Sequence, residues 1–170
     1  MDGLEAIYTR RSIRKFVLRE IPDTDVTKVL KAGMAAPTAG NQQPWQFIVV
    51  RSREMLDRIV EAYPYSKQMV PDVPVVIMVC FDKDREKYED RWQIDCANAT
   101  LNMLLAVHML GYGGLWLEIY PVEKRIKQIQ HSFGIPESVI PFALVTVGHA
   151  AEEKPPSNRY DEELVHRDMW

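Results

Sequence analysis

The chain has 170 residues, 46% hydrophobic and 26% charged, with a formal net charge of −3. That length fits one domain over residues 1–170, and the composition supports a packed core rather than disorder. The mild acid excess excludes the domain-wide basic footprint of a nucleic-acid binder. Cys80 and Cys96 are the only cysteines; they cannot make a disulfide framework and match no zinc spacing, so a reducing, cytoplasmic setting is the default.

In chain order, Leu4, Ile7 and Tyr8 share one face of a short first helix. The opening MDGLEAIYTR has acids where a secretion signal needs basic residues, and no long apolar run. Pro22-Asp23-Thr24 signals a helix start, and Val26, Val29, Leu30 and Met34 recur at helical spacing. That helix must stop before Pro37, because the residue before a proline is pushed out of the helical region. TAGNQQP is a polar loop without a period, and WQFIVV, Trp45 to Val50, is a short strand. Ser52 caps a helix through about Tyr63, with Leu56, Ile59, Val60 and Tyr63 inward.

VVIMVCF, Val75 to Phe81, is apolar at every position, as in a strand covered on both faces. DKDREKYEDR is charged and solvated. A long helix is expected from about Tyr88 to Leu110. The stretch from Cys96 to Leu117 carries no Asp, Glu, Lys or Arg. Asn98, Asn102 and His108 interrupt it, and its helical part is shorter than the roughly 20 residues of a membrane span. It reads as a helix buried on nearly all sides, ended by the glycines of GYGG. GGLWLEIY is a strand candidate. Pro121 opens a helix with Val122, Ile126, Ile129 and Phe133 on one face, and FALVTV, Phe142 to Val147, is the last strand. The tail from Pro155 is polar and ends in Trp170, which suits packing on something, such as a second subunit. The order of elements indicates one α+β domain with helices around a sheet.

No dinucleotide fingerprint, P-loop or nucleophile elbow is present. GYGG follows a helix and precedes a strand, the reverse of the nucleotide-fold order. His108, His131, His149 and His166 are scattered, so no metal site is expected. Cys80 and Cys96 sit among apolar neighbours and read as inert core residues. Without side-chain catalytic machinery, the chain is either not an enzyme or relies on a cofactor for its chemistry.

Four polar patches remain. In RRSIRKF, Arg10, Arg11 and Arg14 offer planar forks suited to phosphate and Ser12 adds a short-range donor. The same run also reads as a solvated basic turn after a helix. APTAGNQQPWQF holds Thr38, Asn41, Gln42 and Gln43 before a strand, suited to a polar heterocycle or to a plain surface turn. Glu118 interrupts the apolar run of GGLWLEIYP. SNRYDEELVH carries Arg159 in a tail able to reach back over the domain, or in a salt-bridged terminus.

Taken in this order and at these distances, the four patches resemble the nitroreductase family of FMN-dependent oxidoreductases across essentially the whole chain. R-R-S-x-R and N-x-Q-P-W are the more specific pair. The resemblance implies an α+β sandwich with a mainly antiparallel sheet, working as an intertwined homodimer with FMN at the interface. It implies that Arg10 and Ser12 hold the FMN phosphate and ribityl chain, with Arg11 beside them and Arg14 near the N1–C2=O edge. Pro37, Thr38, Ala39 and Asn41 would come from the partner chain. The backbone around Leu117 and Glu118 would face the ring with an N–H toward N5, and Arg159 would bind phosphate. Hydride would pass from NADH or NADPH through N5 to a small electron-poor acceptor, a nitroaromatic, quinone or enone, by a ping-pong mechanism. The alternatives are a flavin carrier or sensor without turnover, or specialised flavin chemistry such as reductive dehalogenation. The chain departs from many relatives at Ser157, where they carry a basic residue; Lys154 is the candidate substitute. It is also short between Tyr63 and Pro74, where larger members place a helical excursion over the substrate.

Overall fold

The computed structural model describes all 170 residues. Five helices, α1 (Gly3–Thr9), α2 (Asp23–Met34), α3 (Arg53–Ala62), α4 (Trp92–Met109) and α5 (Glu123–Phe133), surround five strands. The strands are β1 (Phe16–Val17), β2 (Trp45–Val50), β3 (Val75–Asp82), β4 (Gly113–Glu118) and β5 (Val139–Ala150). The sheet runs β1-β5-β3-β2, with β4 also paired to β5, and every strand pairing is antiparallel. This is the α+β arrangement expected from the order of elements.

β3 lies between two cores, which explains its unbroken apolar run. Val75, Ile77, Val79 and Phe81 join Val26 and Val29 of α2 and Cys96 and Met103 of α4. Val76, Met78 and Cys80 point the other way, toward Leu56 and Ile59 of α3 and Ile129 of α5. Each fully buried aliphatic side chain contributes about 1.5–3 kcal/mol. Trp92 opens α4 by stacking on Phe81 at 4.3 Å between ring centroids. Burial pushes the Cys80 thiol up to about 12, and burial, then Cys80 and Asp95, raise that of Cys96. Both are buried free cysteines, as inert core residues should be.

α2, β2 and α3 lie where the sequence pattern puts them, and Ser52 caps α3 by accepting from Met55 N at 3.3 Å. Several boundaries differ. α4 starts at Trp92 rather than near Tyr88, because the main-chain N–H groups of Lys87 and Tyr88 donate to Gln42 Oε1 and Asp90 adopts a φ of 59°. α5 starts at Glu123, with Val122 as its extended N-cap residue. β5 is twice the expected length, since pairing with β3 and β1 carries it past its apolar centre. β1 went unforeseen, because two residues show no period. Of the GYGG glycines only Gly111, at φ 82°, ends the helix; Gly113 and Gly114 already belong to β4.

α4 is not buried all round. Ile94, Leu101 and Met109 form an exposed stripe on it, and Leu4, Ile7 and Tyr8 of the neighbouring α1 are exposed as well. The helix is apolar on faces that one chain does not cover. The Trp170 ring lies 4.3 Å from that of His166, centroid to centroid, tilted by 31°, and remains fully exposed. No helix is long and apolar enough to cross a membrane.

Candidate active site

The basic run is drawn into a cavity by its place between α1 and β1. Asp2 caps α1 by accepting from Glu5 N at 2.8 Å, and Arg10 follows as the C-cap in extended conformation. The chain then runs along the outer edge of β4, where Ser12 bridges Gly114 and Ile13 N donates to Gly114 O at 3.1 Å. Beyond it, Phe16 and Val17 pair with the end of β5. The chain leaving β5 therefore passes beside the same turn, and brings Lys154 and Arg159 with it.

The result is a cavity of about 180 Å³ lined by Arg10, Arg11, Ser12, Arg14, Lys154 and Arg159. The structure thus joins all five residues expected from the two terminal patches, together with Lys154, the candidate substitute at Ser157. None of the four arginines has a carboxylate partner within 4.0 Å. Arg11 Nη1 instead donates to Pro155 O. Burial, then Arg159 and Arg11, hold Arg10 below its ordinary value. His108 of α4 is lowered too, by burial and then by Arg10, with Glu5 opposing.

β4 supplies the second element. Ile119 N donates to Phe142 O at 3.1 Å. Along an antiparallel ladder, main-chain groups alternate between facing the partner strand and facing away. Leu117 therefore turns its main-chain groups to β5, whereas Trp116 and Glu118 present theirs to the open edge that Ser12 and Ile13 also follow. Arg125 Nη1 donates to Glu118 O at 2.9 Å, and its guanidinium lies 4.0 Å over the Tyr63 ring, fixing the end of this edge.

The loop holding Pro37, Thr38, Ala39 and Asn41 stands apart; none of the four lines the cationic cavity. It contains a 3-10 turn, Ala39–Asn41, with positive φ at Gly40, Asn41 and Gln43. A Cβ at Gly40 would fall 2.0 Å from the Tyr88 ring, so any other residue there needs that half-exposed ring to move aside, at a φ of 50° that favours glycine. Asp95 of α4, 2% exposed, accepts from Ala39 N at 2.9 Å and Gln42 Nε2 at 2.6 Å. Asn98 Nδ2 donates to Pro37 O at 3.2 Å. Sequence reading missed Asp95, although a lone carboxylate at the start of an apolar helix was a usable signal.

A helix-flanked antiparallel sheet with a cation-lined cavity and an open amide edge beside it places the chain among α+β proteins built on one antiparallel sheet. The nitroreductase family model matches residues 7–64 and 61–149. The chain is 47% identical over 170 residues to a protein of Methanothermobacter thermautotrophicus named, provisionally, an NADH dehydrogenase/NAD(P)H nitroreductase, covering 100% of this chain and 88% of that one. A crystal structure of a provisionally so-named protein from Parabacteroides distasonis gives a TM-score of 0.92 at 32% identity, covering 99% of this chain and 98% of that one. An FMN-dependent nitroreductase from Clostridium difficile gives 0.90 at 26% identity, covering 98% and 99%. The chain belongs to the nitroreductase family.

Proposed function

We propose that the chain is an FMN-dependent oxidoreductase, acting as a homodimer, that moves hydride from NADH or NADPH to a small electron-poor acceptor such as a nitroaromatic, quinone or enone. The observation that carries this reading is the cavity lined by four arginines that have no carboxylate partner. Guanidinium groups gathered without a counter-ion repel one another, and an anion with phosphate geometry offsets that repulsion. At about 180 Å³ the cavity suits a phosphate group rather than a whole cofactor.

Arg10, Arg11, Ser12 and Arg159 would hold the phosphate end. The outward N–H of Glu118, on the same edge, would orient the ring, while Pro37, Thr38, Ala39 and Asn41 would come from the second copy. Bound FMN would supply the hydride-exchanging N5. Arg14 would place a fixed positive charge at the N1–C2=O edge, where reduction builds negative charge. Glu118 N–H would fix the ring in the orientation that donor and acceptor both need. One face used by both in turn gives ping-pong kinetics. The exposed apolar stripe on α4 and α1 supports the homodimer.

Purified protein should be yellow and lose its colour on denaturation. A colourless preparation that takes up no added FMN would overturn the reading. Anaerobic bleaching by NADH or NADPH separates an oxidoreductase from a passive flavin carrier.

A further inference from the structure

Lys154, the candidate substitute for the basic residue missing at Ser157, sits in a built environment. Its Nζ donates to Ser12 O at 2.7 Å and lies 3.1 Å from Glu152 Oε1. The same oxygen accepts from Arg14 N at 2.5 Å and Lys15 N at 3.3 Å. Ala151 N donates to Lys15 O at 2.8 Å, so the segment carrying Glu152 and Lys154 is zipped onto the basic turn. Three contacts and an exposure of 18% for Glu152 and 24% for Lys154 set this pair apart from an ordinary surface pair, such as Lys127 with Glu123 at 72% and 78%. Surface pairs of that kind have little effect.

An ammonium has three donors. Ser12 O and Glu152 take two, which leaves a third at a cavity that Lys154 lines with Arg10, Arg11, Arg14 and Arg159. Five cations there face one carboxylate. The N–H of Arg14, with Lys154 and the N–H of Lys15 behind it, holds that carboxylate below the ordinary glutamate range against the opposing effect of burial. The carboxylate holds Lys154 in place, but it cannot neutralise the cavity. Ser157 does not line this cavity; it lines an adjoining one with Ile7, Tyr8 and Tyr160, which shares Arg10 and Arg159 but not Lys154.

We propose that Lys154 is a binding residue for the cofactor phosphate, held ready by Glu152 and Ser12 O, and that Ser157 is not. The inference rests on the reading that this cavity takes the FMN phosphate. The test compares the Kd of the full-length apoprotein for FMN with that for riboflavin, which lacks the phosphate, by flavin fluorescence quenching. Lys154→Met should weaken FMN about tenfold to a hundredfold, as expected for one charged hydrogen bond, and leave riboflavin unchanged. Lys154→Arg should keep most of the preference for FMN, and Ser157→Ala should keep all of it. Equal losses for both flavins in Lys154→Met, or an undiminished FMN preference, would overturn the proposal while leaving the phosphate reading intact. A natural protein that binds riboflavin as tightly as FMN would overturn the phosphate reading itself.

Discussion

Gln42 donates from Nε2 to Asp95 Oδ2 at 2.6 Å while its Oε1 accepts from the main-chain N of Lys87 and Tyr88. Its amide cannot flip without breaking all three contacts. One side chain thereby locks the turn before β2, the segment before α4 and α4 itself into a single geometry. Asp95→Asn would set an amide donor against either Ala39 N or Gln42 Nε2. We expect a destabilisation of about 1–3 kcal/mol, the cost of a buried donor left unpaired, read from the denaturant midpoint. An unchanged midpoint would mean that water or a neighbour replaces the lost acceptor.

Arg14 lines the same cavity as the phosphate-binding candidates, yet the proposed function gives it a different task. Arg14→Ala should lower the reduction potential of bound FMN by about 30 mV, which for two electrons is ~1.4 kcal/mol of lost preference for the reduced state. Weaker binding with an unchanged potential would move Arg14 from the ring to the phosphate.

His108 and Arg10 make the site's charge measurable. Thr9 Oγ1 donates to Glu5 O at 2.7 Å and so accepts from His108 Nε2 at 2.9 Å, which fixes the N–H on Nε2 in the neutral imidazole. Because its folded-state value is lowered, His108 favours folding above the ordinary histidine range. That contribution is lost as the pH falls from the unfolded value through the lower folded one. NMR titration should place His108 below the ordinary histidine value of about 6.5, and adding FMN should raise its midpoint by offsetting Arg10. A midpoint indifferent to FMN would place the anion elsewhere.

Leu101 stands exposed in the middle of the apolar stripe on α4. If a second copy covers it, Leu101→Glu buries a charge in the interface and should give a monomer by light scattering. The same variant should bind FMN poorly, because Pro37, Thr38, Ala39 and Asn41 would no longer be supplied. A dimer that persists with full FMN affinity would put the interface on another face.

Much of the fold is legible in order along the chain. The apolar run from Val75 to Phe81 and the helical spacing of Val26 and Val29 need only a period and a neighbouring proline to be read. The basic run from Arg10 to Arg14 is likewise local, and its likeness to a family motif marked it before any coordinates did. Other features depend on partners far away in sequence. β1 exists because β5 is there to pair with it, and the late start of α4 depends on Gln42. Which of Leu117 and Glu118 presents its N–H outward is decided by register against β5.

Residue types and their local spacing determined all five helices and four of the five strands, though not every boundary, and which side chains carry charge, because those preferences act within a few residues. Only the tertiary structure decided that Lys154 meets Ser12, that Asp95 braces Ala39, and that four arginines, none paired with a carboxylate, share one cavity. Such contacts depend on the path of the chain between residues more than fifty positions apart. That path is set by burying both faces of β3, and no single segment encodes it.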